Sequence, residues 1–77
     1  MFNFKTYLRN DSYNINISNE CIYFLNYDRV IEINDDIIIV KFKDFILNIK
    51  GNNFKIVKML DNELLITGKI KEILFNE

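Results

Sequence analysis

The sequence contains no histidine, proline, tryptophan, alanine or glutamine, one cysteine and two glycines. Each absence closes off some chemistry. Without histidine the chain lacks the commonest general base and the commonest metal ligand. A single cysteine, Cys21, rules out an intrachain disulfide and any multi-cysteine zinc site. With Gly51 and Gly68 as the only glycines, neither a GxGxxG fingerprint nor a phosphate-binding P-loop can be written. Seventy-seven residues also leave no room for a binding domain beside a catalytic one, so a single domain over residues 1–77 is expected. Within it, residues 1–10 are read as an arm, a helical turn or an edge strand.

What the chain has instead is fourteen isoleucines and twelve asparagines. Isoleucine, with valine, threonine, phenylalanine and tyrosine, favours pleated surfaces, and the best helix former, alanine, is missing. The periodicity agrees. Tyr13, Ile15 and Ile17 alternate with Asn14, Asn16 and Ser18; Phe45, Leu47 and Ile49 alternate with Ile46, Asn48 and Lys50; Leu64, Ile66 and Gly68 alternate with Leu65, Thr67 and Lys69. A period of two sends one set to a core and the other to solvent. Between these runs lie Asn- and Asp-rich turn signals, residues that tolerate positive φ and fold back on the backbone. Asn34-Asp35 and Asp61-Asn62 suit tight hairpins, and Gly51-Asn52-Asn53 suits a longer or bulged turn. The pattern predicts about eight short strands, near 4–6, 12–17, 21–25, 29–33, 37–42, 45–50, 54–59 and 63–75, the last bending at Gly68. The expected fold class is all-β: a small antiparallel meander forming a sandwich or partly closed barrel, with a short β-solenoid as the alternative.

Ten basic and eleven acidic residues give a net charge near −1 and a pI of about 5.4, unlike the basic balance of most nucleic-acid binders. Lys41, Lys43, Lys50, Lys55, Lys58, Lys69 and Lys71 make the second half locally basic, which reads first as solubilising strand faces and edges. Apolar runs such as Ile37–Val40 fall far short of the roughly 20 residues that span a bilayer. The first residues lack the features of a secretory signal. A cytoplasmic chain is expected, and a lone cysteine suits a reducing compartment.

Candidate chemistry is sparse. Asp28, Asp35 and Asp36 lack the spacing of a calcium loop and read as turn residues. Glu20, Glu32, Glu63 and Glu72 are acid–base candidates that nothing in the sequence brings together. Cys21 has no histidine to activate it and reads as a buried, inert thiol. Tyr7, Tyr13, Tyr23, Tyr27, Phe24, Phe42, Phe45 and Phe54 suit either a base-stacking platform or a core, and the acidic pI favours the core. No catalytic residue, metal ligand or cofactor is expected.

Two segments break the alternation. Cys21–Leu25 and Ile37–Val40 are apolar on both faces, and Val30 and Ile46 stand opposite their strands' core sets. A small meander should keep one face wet, so either these strands are covered on both sides in a self-contained sandwich or the second face meets another chain, the reading favoured here. Ile37, Ile39, Ile46 and Val30 are the candidate interface, and a homo-oligomer or a partner protein is expected.

The stretch Phe45-Ile-Leu-Asn-Ile-Lys-Gly-Asn-Asn-Phe-Lys-Ile-Val-Lys-Met-Leu-Asp-Asn-Glu-Leu-Leu-Ile-Thr-Gly-Lys-Ile-Lys-Glu-Ile-Leu-Phe75 resembles the YabP/YqfC family of sporulation proteins. A strand closes on Gly51, a second runs through Phe54 and Ile56, and a Leu-Asp-Asn-Glu turn leads into Leu-Ile-Thr-Gly-Lys-Ile. Ile15–Ile33 looks like the family's opening, so the resemblance covers roughly residues 12–75. Asn53-Phe54 departs from the family's more usual Asn-Leu pair and keeps an apolar residue there. The resemblance implies a role in endospore formation without catalytic activity, in spore coat or engulfing-membrane assembly. It also implies a sporulation membrane protein as partner, placing the chain peripheral to a membrane through that partner. Its signature residues, Gly51 and Gly68, carry backbone geometry. The runner-up reading is a small nucleic-acid- or ligand-binding β-barrel.

Overall fold

The computed structural model describes residues 13–77. The strand expected near 4–6 and the arm over 1–10 lie outside the described residues. Six strands follow in chain order: β1 (Asn14–Ser18), β2 (Cys21–Leu25), β3 (Arg29–Ile33), β4 (Ile37–Lys41), β5 (Ile46–Met59) and β6 (Glu63–Asn76). They form one sheet in the order β1-β2-β6-β5-β4-β3, and every neighbouring pair is antiparallel. The all-β class holds and the solenoid alternative falls, because a solenoid stacks parallel coils.

Two expectations change. The strands read at 45–50 and 54–59 are one strand, β5. Gly51-Asn52-Asn53 does not reverse the chain; it absorbs register shifts between β5 and β6 while the ladder continues past it. Asn53 sits at φ 57°, so the positive φ that a turn would need is used here to bulge a strand. Nor is the sheet a pure meander, because β2 pairs with β6 and not with β3.

The sheet is bent double. Leu25 is in register with Glu63 at the start of β6, and Lys41 lies level with Ile46 and so with Asn76 at its end. In a straight strand those thirteen steps would span about 43 Å. Yet in the short β2–β3 link the Asn26 amide donates to Asn62 O at 2.7 Å, and the Asp28 amide donates to Lys41 O at 2.8 Å. Both ends of β6 therefore come within reach of three consecutive residues. The result is two facing leaves. The first holds β1, β2 and the tip-proximal halves of the long ribbon (63–67 of β6 and 55–59 of β5). The second holds β3, β4 and the opposite halves, 46–50 of β5 and 72–76 of β6.

Between the leaves lies the core. Ile22, Phe24, Leu64 and Ile66 from the first leaf and Ile38, Val40, Leu47 and Ile49 from the second are fully buried. The alternation that fixes them is the one legible in the sequence. Fully burying one such side chain contributes roughly 1.5–3 kcal/mol, so this set supplies most of the driving force. Phe24 of β2 and Phe42 after β4 meet edge-on with ring centroids 5.6 Å apart, joining the leaves directly.

The bend is built from the two glycines and Phe54. A Cβ on Gly51 would lie 1.9 Å from Lys69 O and 2.6 Å from the Phe54 ring; one on Gly68 would lie 2.5 Å from that ring and 2.9 Å from Phe54 Cα. Gly68 also has φ +149°, where side chains are strained. Phe54, 4% exposed, thus packs on both bare backbones. Each hairpin tip is tied to this bend. The Gly68 amide donates to Glu20 O in the β1–β2 turn, and the Gly51 and Phe54 amides donate to Asp36 O and Asp35 O in the β3–β4 turn.

Candidate functional site

Adjacent residues on a strand point to opposite faces, so each leaf has an outer face set by its inner one. On the first leaf, Cys21, Tyr23 and Leu25 face outward beside Thr67, Leu65 and Glu63, with Asn14, Asn16 and Ser18 of β1 on the same side. This face is half-buried along β2 and tied together by polar groups. The Tyr23 hydroxyl donates to Glu63 Oε2 at 2.5 Å, and Lys58 Nζ lies 3.0 Å from Glu63 Oε1. The hydrogen bond from Tyr23, then the ammonium of Lys58, holds the Glu63 carboxyl below its ordinary value. The hydrogen bond to Glu63, with desolvation and the carboxylate charge, raises the Tyr23 phenol.

The outer face of the second leaf is different. Ile37 and Ile39 of β4 and Ile46 of β5 lie there, half-buried, and Asn48 sits between Ile39 and Leu74 in the ladder. Asn48 Oδ1 is enclosed and accepts no hydrogen bond. A buried acceptor left unpaired costs roughly 1–3 kcal/mol. Lys41, Lys50 and Glu72 stand on the same side around these apolar residues. Three of the four interface residues expected from sequence therefore share a face.

Val30 does not share that face. It pairs with Val40 and packs against the core. The register shifts between Val30 and Glu32, so β3 turns Val30 and Ile33 inward and leaves Ile31 46% exposed. The strict alternation assumed for β3 is broken by this bulge, which the sequence does not announce.

The other candidates are dispersed. Glu20 is in the β1–β2 turn, Glu32 on β3, Glu63 at the start of β6 and Glu72 in its far half. Asp28 pairs with Lys41 at 3.7 Å. Asp35 and Asp36 line an open polar cleft with Asn34, Asn52 and Asn53. Among the described residues no three His, Cys, Asp or Glu side chains converge. Cys21 is half-buried on the outer face of β2 and not in the core. Phe24, Tyr27, Phe42 and Phe54 are core residues; Tyr13 packs edge-on against Phe42 and Phe45, and Phe45 reaches Phe75. Tyr7 lies outside the described residues.

Sequence reasoning missed Ile73, Leu74 and Phe75, which are 37%, 43% and 60% exposed. Their signal was the uncharged run closing β6, which reads as core until the sheet order shows that this segment has one neighbour among the described residues. No described helix is long and apolar enough to cross a membrane.

The model of the YabP family matches residues 9–77. No curated protein and no solved structure matches the chain.

Proposed function

This chain belongs to the YabP family, and on that footing we propose that it is a non-catalytic, sporulation-related β-domain that acts by association. In this reading it joins copies of itself, or docks to a partner such as a sporulation membrane protein, in spore coat or engulfing-membrane assembly. Family membership supports the link to sporulation. One observation supports the mode of action: the second leaf is apolar on both faces, with Ile38 and Val40 buried inside and Ile37, Ile39 and Ile46 turned outward around an unpaired Asn48 oxygen. Apolar residues grouped on a sheet's outer face mark an interaction surface. The nucleic-acid-binding alternative draws little from the geometry, since most candidate aromatics fill the core and Lys41 and Lys58 face Asp28 and Glu63.

Neighbouring residues of β4 test the reading. Ile38→Asp places a charge in the core and should unfold the chain, a loss above about 4 kcal/mol. Ile39→Asp, at a half-buried position, should cost far less and leave the folded circular dichroism in place while reducing the mass seen by sedimentation. Equal unfolding by both, or an unchanged assembly in a folded Ile39→Asp chain, refutes the outer face as a contact.

A further inference from the structure

Among the described residues, four segments of the sheet have a neighbour on one side only: β1, β3, residues 55–59 of β5 and residues 72–76 of β6. An open rim of amides and carbonyls invites another strand, and proteins normally blunt it with charge, bulges or shortness. Three of the four are blunted. β1 has five residues and turns Asn14, Asn16 and Ser18 outward. β3 is equally short and bulged at Ile31. The 55–59 segment carries Lys55 and Lys58 and shifts register between Ile56 and Lys58.

The fourth segment is just as short and begins on Glu72, but it has no register shift within it. From Lys50↔Glu72 to Ile46↔Asn76 the β5–β6 ladder runs through five pairs without a shift. Its middle residues, Ile73, Leu74 and Phe75, are apolar on both faces and exposed. We propose that residues 72–76 of β6 are a docking edge for a second copy of this chain, added antiparallel about a two-fold axis at Leu74. The proposal rests on the self-association reading above and assigns it a surface.

The occupant follows from self-complementarity. An axis at Leu74 sets that residue against its own copy on the outer face. On the inner face it sets Ile73 against the second copy's Phe75, and Phe75 against the second copy's Ile73. At both ends Glu72 stands opposite the second copy's Asn76. Just beyond the regular ladder Lys71, the residue skipped at the register shift between Lys50 and Gly51, comes near the second copy's Glu77, which brings opposite charges together. Moving the axis to Glu72 would oppose two carboxylates, and moving it to Ile73 would set Lys71 against Phe75 and lose both charge pairs. An axis at Phe75 would set Ile73 against Glu77 and lose them too, so among these registers the one at Leu74 keeps the opposite charges together. Pairing in it makes the two second leaves one continuous eight-stranded layer, with the Ile37, Ile39, Ile46 and Leu74 faces of both copies on the same side.

The test uses the full chain and sedimentation velocity over about a hundredfold dilution series. Wild type should convert from dimer to monomer. Leu74→Lys opposes two ammoniums on the axis and should abolish the dimer with the far-ultraviolet circular dichroism retained. Lys71→Glu alone and Glu77→Lys alone should each weaken dimerisation by about tenfold, and the double reversal should restore it. A double reversal no tighter than the singles overturns the proposal, and it does so even if Leu74→Lys fails to fold. A wild-type assembly that ignores these variants but dissociates with Ile39→Asp sinks the edge and leaves association through the outer face standing. A wild type that is monomeric throughout removes both.

Discussion

Each leaf lays a hairpin of two five-residue strands against one half of the β5–β6 ribbon, and each hairpin tip bonds to the ribbon's bend, through Glu20 in one case and Asp35 and Asp36 in the other. Inside, both contribute four fully buried aliphatic or aromatic side chains from two strands. Outside, they part. The first leaf turns out Cys21, Leu25 and Leu65 together with Asn14, Asn16, Ser18 and a Tyr23–Glu63–Lys58 chain. The second turns out Ile37, Ile39, Ile46 and Leu74 with an unpaired Asn48 oxygen among them. The contrast lies in the polar groups: on the first leaf hydroxyl, carboxylate and ammonium are paired with one another, while on the second leaf an acceptor stands unpaired among the apolar residues.

The shared part is where substitution should cost most. Gly51→Ala drives a methyl into Lys69 O, and Gly68→Ala drives one into Phe54 while holding alanine at φ +149°. In both cases backbone blocks the new atom, and relief requires the bend to open. Each variant should lose more than about 3 kcal/mol by urea unfolding. Equal and large losses would show that both leaves depend on one bend. A mild loss at one glycine would mean that its leaf can rotate away without the other.

A smaller effect is expected where the leaves are laced together. Tyr27 is 8% exposed and its hydroxyl donates to Leu60 O at 2.9 Å, tying the β2–β3 link to the β5–β6 turn. Tyr27→Phe removes that donor and keeps the ring, so a loss of about 1 kcal/mol is expected by thermal or urea unfolding, with assembly unchanged. A change in sedimentation without a change in stability would contradict the assignment of Tyr27 to the core.

The strands were largely legible because their alternation is local: Leu47 and Ile49, Leu64 and Ile66, Ile22 and Phe24 all lie on the face that their period assigns. Two turns were legible for the same reason. Asn34 accepts from the Asp36 and Ile37 amides through Oδ1, and Leu60 donates to Glu63 O around Asp61-Asn62. Gly51-Asn52-Asn53 was misread because glycine and positive-φ asparagine serve a reversal and a bulge equally well. Val30 was misplaced because one extra residue at Ile31 inverts the faces around it. The β6 edge was hidden for a different reason. Whether Ile73, Leu74 and Phe75 are core or rim depends on β2 reaching across to pair with the other half of β6, a contact between residues some forty positions apart.

The polar face of the first leaf carries the smallest and most specific expectation. Folding lowers the Glu63 pKa, chiefly through the Tyr23 hydroxyl and then through Lys58. A lowered folded value means that Glu63 contributes stability above its ordinary value of 4.5, and that this share is lost as pH falls through the folded value. Tyr23 has the opposite sign: its raised pKa gives a share that is full below 10.0 and disappears as pH rises through its folded value. Tyr23→Phe should let the Glu63 carboxyl, followed by NMR, move back toward 4.5 while Lys58 still holds it partly down. The acid-side decline of stability should shrink with it. Because these groups lie on the leaf away from residues 72–76 of β6, dimerisation measured at the same pH should not respond. If the substitution left the Glu63 titration in place, Lys58 alone would account for the shift and the Tyr23 hydrogen bond would carry no weight. If it altered dimerisation, the division of labour between the two outer faces would be wrong.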